Sequence, residues 1–253
     1  MNEMFTQTYL HSVDLDNSIL VNNLLVDGRL RTPNFLYEYE PLFKNNKTRI
    51  EDQSIENLKY LTEAVPPTFT PRAYIYVLAG AAFRTGGNAN FGHMLKEEDV
   101  EVLTKEQIIR MADIELAFEQ KRREIDLNLV SRLSCIWLAE DNDSGRKLLS
   151  EMLGEKRRLL VRVKPLFDPV ISNLSKVDVS WYNKYYQIKE EDYIKKYWTG
   201  FASQTPQWEV LYDGIVELVD KSDWDIILKN GKSFSQLDYG NLVKSNRPDW
   251  FEE

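Results

Sequence analysis

The densest strand signal in the chain comes late. Trp208-Glu209-Val210-Leu211-Tyr212 runs into Asp213-Gly214 and then Ile215-Val216-Glu217-Leu218-Val219. Branched and aromatic residues fill both runs, and Asp-Gly between two such runs signals a hairpin or a bulge. Glu209 is the only carboxylate within the first run. A carboxylate in an apolar strand is costly unless it is paired or solvated, so Glu209 asks for an explanation. An exposed strand face would supply one.

Earlier elements follow from local pattern. Phe5 to His11 alternates as a strand, with Phe5, Tyr9 and His11 on one face and Thr6, Thr8 and Leu10 on the other. A helix follows, with Ile19, Leu20, Asn23 and Leu24 at helical spacing, Asp14 or Asp16 to cap it and Gly28 to end it. Pro33 forbids its continuation. From about 41 to 130 the chain reads as a mainly helical insertion. Asp52 is placed to cap a short helix with Ile55, Leu58 and Leu61 on one side. Ala73 to Phe83 favours a buried helix, and Thr104 with Gln107 has capping-box spacing before a long helix carrying Ile108, Met111, Ala112, Ile114, Ala117, Phe118 and Ile125. A strand is predicted over Leu133 to Ala139, a helix over Asp143 to Leu153 ended by Gly154, and a strand over Leu159 to Lys164 that Pro165 stops. Trp181 to Trp198 reads as a loop followed by a helix through Tyr193.

Composition bounds the chemistry. A chain of 253 residues, 43% hydrophobic and 28% charged, can bury a full core as one domain, 1–253, with the insertion inside it. The net charge of -8 disfavours nucleic acid as a partner. The basic clusters Lys121-Arg122-Arg123 and Lys156-Arg157-Arg158 read as solvated helix faces or strand entries. No apolar run approaches the roughly 20 residues of a membrane span, and the first ten residues lack the basic start of a secretory signal, so the expectation is a soluble, cytoplasmic protein. Cys135, the single cysteine, sits in an apolar run as a buried, inert thiol, and with only His11 and His93 beside it a metal site is not expected. The Gly86 to His93 loop reads as a surface loop, because it lacks the strand-loop-helix frame of a nucleotide fingerprint.

Three separated elements carry a resemblance. Tyr9-Leu10-His11 followed by Ile19-Leu20 and Gly28 resembles the first strand and helix of the mono-ADP-ribosyltransferase superfamily. Arg132-Leu133-Ser134 resembles its Ser-bearing second strand, and Trp208 to Gly214 resembles the late strand that bears its catalytic Glu. The likeness covers about 5–30 and 131–219, and in this respect the chain is similar to a bacterial and phage branch of that superfamily. It implies an α+β fold with a split, bent sheet, and NAD as the substrate of ADP-ribosyl transfer to a macromolecular acceptor, with protein favoured over nucleic acid. Glu209 would be the catalytic acid. His11 and Tyr9 would sit at the cofactor, with His11 on the adenosine ribose. Ser134 would support Glu209, and Arg132 would meet the pyrophosphate or the acceptor. The chemistry fits these types, because losing nicotinamide leaves positive charge on the ribose, which a fixed carboxylate stabilises most in the transition state. Members with a first-strand His usually pair it with a Tyr that stacks on nicotinamide. Here Trp137 is nearest, with Tyr74, Tyr76 or Tyr182, Tyr185 and Tyr186 as substitutes. The same site would also suit hydrolysis of NAD, and a fold retained only for binding a partner is a further alternative.

Overall fold

A computed structural model describes residues 7–39, 49–61, 71–87, 103–153 and 157–233. It is a mixed structure of helices and antiparallel strands, and no described helix is long and apolar enough to cross a membrane. The chain divides into two compact units: Met1–Arg31 with Leu138–Ser172 and Gly214–Glu253, and Thr32–Trp137 with Asn173–Asp213.

The first unit is built on antiparallel strands. β1 (Tyr9–Asp14) lies between β4 (Arg158–Leu166) and the end of β3 (Ile136–Glu140), and β7 (Ile215–Leu218) lies between β4 and β2 (Arg29–Arg31). Tyr9, Leu10, His11 and Val13 are all buried, so β1 is covered on both faces rather than on one. α1 (Ser18–Asp27) ends as expected at Gly28, whose φ of 72° suits glycine and whose N–H returns to Leu24 O. Its cap is Asn17, which accepts from Leu20 N at 3.1 Å; the carboxylate of Asp14 accepts instead from Asp16 N at 3.0 Å. Pro165 does not stop β4. Pairing with β1 ends at Val163, and beyond that point only β7 is a neighbour in this unit, so a missing N–H is tolerated. α6 (Asp143–Leu153) presses its first turn on β3. A Cβ at Gly145 would stand 2.0 Å from Glu140 O, and so only glycine fits. α9 (Lys221–Asn230) completes the described part.

The second unit is mostly helical. α2 (Pro33–Tyr39) leads to a 3-10 turn (Ile50–Asp52), α3 (Ile55–Tyr60), α4 (Arg72–Arg84) and α5 (Lys105–Ile125). α3 is capped by Ser54 rather than by Asp52, which pairs with Arg49. α4 spans the Ala-rich run, and α5 opens on the expected capping box, Thr104 and Gln107 bonding reciprocally at 2.7 and 3.2 Å. α4 and α5 pack closely, since a Cβ on Gly80 would meet Ala112 Cβ at 2.5 Å. The buried face of α5 is not purely apolar: Glu115, Glu119 and Arg122 lie on it, whereas Ile125 is exposed. Arg122 is therefore no solvated helix face. Its guanidinium is held by Glu119 and by Leu127 O and Leu129 O.

β5 (Asn173–Asp178) pairs antiparallel with β6 (Trp208–Asp213), and the region between them forms two helices, α7 (Val179–Ile188) and α8 (Glu191–Trp198), where a loop and one helix were expected. Asp178 starts α7. Its buried carboxylate accepts from the backbone N–H groups of Ser180, Ser203 and Gln207 at 2.8–3.0 Å. Burial opposes its ionisation, but these N–H bonds outweigh it and hold its carboxyl below the ordinary range. Trp208 to Leu218 is not a hairpin. β6 pairs with β5 and β7 with β2 and β4, and Gly214, at φ 138°, is the step by which the chain leaves the second unit. Phe5, Thr6, His93, Gly154 and Lys156, named in the sequence reading, lie outside the described residues.

Candidate functional site

Strand alternation puts Glu209, Leu211 and Asp213 on one face of β6. The two acids at the ends of that face anchor two different clusters, both within the second unit.

Around Glu209 the cluster is charged and closed. Glu209 is 2% exposed and Arg132 is 3% exposed, and Arg132 Nη1 donates to Glu209 Oε1 at 2.7 Å. The Tyr197 hydroxyl donates to the same oxygen and in turn accepts from Arg132 Nη1 at 2.6 Å. Glu115 takes the rest of the guanidinium, from Nε at 2.9 Å and Nη2 at 3.2 Å, and accepts from the Tyr182 hydroxyl at 2.8 Å. Aromatic faces wall the cation: its Cζ lies 4.4 Å from the Tyr182 ring centroid and 4.6 Å from that of Trp137. Burial lowers the readiness of Arg132 to hold its proton, but Glu115, Tyr197 and Glu209 reverse this and keep it a cation. Burial raises the Glu209 carboxyl above its ordinary value, and Arg132 and Tyr197 only partly offset the rise. One asymmetry stands out. Glu209 Oε1 takes two hydrogen bonds, while Oε2 is buried with no partner among the described residues.

Around Asp213 the cluster is polar and nearly free of cations. Thr32 Oγ1 donates to Asp213 Oδ1 at 2.5 Å. Asn34 Nδ2 donates to Asp213 Oδ2 at 2.7 Å and to Glu51 Oε1 at 2.8 Å, so one amide bridges two carboxylates. The Ser134 hydroxyl also donates to Glu51 Oε1. Asp213 keeps some surface, yet its carboxyl is desolvated. That burial, followed by the negative charge of Glu51, pushes it up to about 7 despite the bonds from Asn34 and Thr32.

Both clusters depend on one turn. The strand expected from Leu133 begins only at Ile136, and the stretch 131–135 before it bends. Leu133 N bonds to Ser131 Oγ, a local side-chain bond that displaces ladder pairing. The bend sends Ser131 Oγ to Glu119 Oε2 at 2.7 Å, Arg132 to Glu115 and Glu209, and Ser134 to Glu51.

Set against the residues picked from sequence, Arg132 and Glu209 do come together, whereas Ser134 supports Glu51 and not Glu209. Glu209 is not on an exposed strand face, and Arg132 is spent on two buried acids. Tyr9 and His11 belong to β1 of the other unit. Trp137 lies against Arg132, as does Tyr182, while Tyr74 is buried in a core with Leu58, Val77, Leu116 and Leu133. Cys135 is buried, and burial pushes its thiol well up. Glu115, Glu51, Asn34 and Asp213 were missed. The signal for Glu115 was its place four residues before Glu119 and seven before Arg122, a charged stripe within an apolar helix face. Among the described residues, no group of three or more His, Cys, Asp or Glu is arranged to hold a metal ion.

A family model described as a protein of unknown function, DUF2441, matches residues 43–227. The match spans Glu51, Glu115, Arg132, Ser134, Glu209 and Asp213, and leaves Tyr9 and His11 outside. No curated protein matches the sequence.

Proposed function

The chain belongs to the DUF2441 family, and we propose that it is an NAD-dependent mono-ADP-ribosyltransferase acting on a macromolecular acceptor, with protein favoured. The observation that carries the reading is the free Oε2 of Glu209. A buried carboxylate oxygen without a partner is unusual in a folded protein and is a common mark of a functional group. Arg132 and Tyr197 fix the other oxygen, so the carboxylate is rigid and keeps one buried acceptor unused. A rigid acceptor of this kind suits a ribose hydroxyl, and it stabilises the positive charge that develops as the nicotinamide-ribose bond breaks. Nicotinamide departs with the bonding pair, and the acceptor's nucleophile attacks the same carbon as it gives up its proton. In this reading Arg132 positions Glu209 and does not meet the pyrophosphate. The reading rests on the Glu209 cluster of the second unit and needs no metal.

Incubation with labelled NAD and cell extract tests the reading. Wild type is expected to label a macromolecule, and Glu209→Gln to lose the labelling by at least about a hundredfold. Equal labelling by both, or none by either, removes it. Nicotinamide release without a labelled macromolecule selects the hydrolase. A second reading, a non-catalytic binding protein, is favoured by the closed ion pair of Arg132 and Glu209, each under 4% exposed. Absence of any thermal shift with NAD, beside tight capture of a protein partner, selects that one.

A further inference from the structure

We propose that Glu51 and Asp213 form a proton-dependent clasp, which ties the start of α2 and the 3-10 turn to the end of β6 while Asp213 holds a proton and loosens when that proton is lost. The inference is independent of the NAD reading, because it uses no substrate and no group of the Glu209 cluster.

The geometry has two parts. First, three segments remote in sequence meet at these acids: Thr32 and Asn34 at the start of α2, Glu51 in the turn, and Asp213 at the strand end, with Ser134 behind Glu51. Thr32 is the first residue of the second unit and Asp213 its last, so the clasp joins the two ends of that unit's chain. Second, the donor count is short. Asn34 has two amide hydrogens, and both are committed, one to each carboxylate. Thr32 and Ser134 give one hydrogen each. No Lys or Arg among the described residues bonds either carboxyl.

Of the charged and titratable groups that face the pair, Arg49 acts on Asp213 from a distance while its guanidinium is bonded to Asp52 at 2.8 and 3.0 Å. Arg122 feels Glu51 but is held by Glu119, and Cys135 faces Asp213 as a neutral thiol. Two full negative charges on one amide are unfavourable, and Asp213 relieves this by holding its proton. The rise of Asp213 to about 7 places the loss of that proton near neutrality.

Backbone hydrogen exchange on the full chain, corrected for intrinsic rates, reads the clasp directly. From about pH 6 to about pH 8.5, protection at 32–39 and 49–53 is expected to fall on the order of tenfold in wild type. Glu51→Gln keeps the carbonyl oxygen that Asn34 and Ser134 need and removes the repulsion, so its protection stays level. An equal fall in both proteins, or no fall in wild type, overturns the proposal. Carbon NMR titration of the Asp213 carboxyl gives a second reading. A midpoint near 7 that drops in Glu51→Gln is expected, and a midpoint in the ordinary aspartate range overturns the proposal.

Discussion

Glu209 and Asp213 stand four residues apart on one face of one strand, and the fold treats them oppositely. Glu209 meets a dedicated cation, Arg132, which is itself clamped by Glu115 and walled by aromatic rings. Asp213 meets two neutral donors, Thr32 and Asn34, and through Asn34 a second acid. The first arrangement fixes charge in the interior by pairing it. The second leaves a negative charge to be relieved by a proton. Burial raises both carboxyls above their ordinary values, and what differs is the charge set beside them: a cation that opposes the rise at Glu209, a second acid that adds to it at Asp213.

The comparison breaks most decisively at Arg132. Arg132→Met leaves Glu115 and Glu209 buried without their cation, and urea unfolding is expected to show a loss of about 3–5 kcal/mol. A loss below about 1 kcal/mol means that the pair is not the anchor described. Tyr197→Phe removes a single donor from Glu209 Oε1 and is expected to cost about 1–2 kcal/mol in the same assay. An unchanged midpoint would show that Arg132 alone holds that oxygen.

A smaller effect sharpens the other side. The folded Asp213 carboxyl titrates near 7, above its unfolded value of 3.8, so the native state binds more protons between those values. Its stabilising contribution is complete below about pH 4 and is lost as pH rises through about 7. Asp178 runs the other way: its carboxyl is depressed, so its contribution is present above the ordinary aspartate range and is lost as pH falls through the lowered value. Thermal melts across this range are expected to show the high-pH decline weakened in Glu51→Gln. An identical decline in both proteins would remove Asp213 as its source. The smallest expected effect is at Cys135, where a thiol reagent should modify the native protein no faster than it unfolds. Rapid labelling would mean that the interior beside both clusters is open.

Much of the local structure was legible in the sequence because its causes are local. Thr104 with Gln107, Gly28 after α1 and the Ala-rich α4 each state their element within a few residues. Glu209 stood out as the lone acid of the run Trp208 to Tyr212, yet the exposed face that would have excused it does not exist. Asp213 was hidden by its neighbour, since Asp-Gly reads as a turn before it reads as an acid. The Arg122 cluster was misjudged because three consecutive basic residues look alike in sequence, although on a helix they point in different directions. Which acid meets which donor is a property of segments some 80 residues apart, as in Ser134 and Glu51. No window of pattern contains it.

The bend at 131–135 has a consequence for how the chain can vary. Successive residues there serve Glu119, Glu115 with Glu209, and Glu51, so the order of side chains along five positions is a wiring plan for the interior. Inserting or deleting one residue would deliver each donor to the wrong terminal at once. Length in this stretch is therefore constrained more tightly than identity, and repair would require several coordinated replacements in α5, the 3-10 turn and β6.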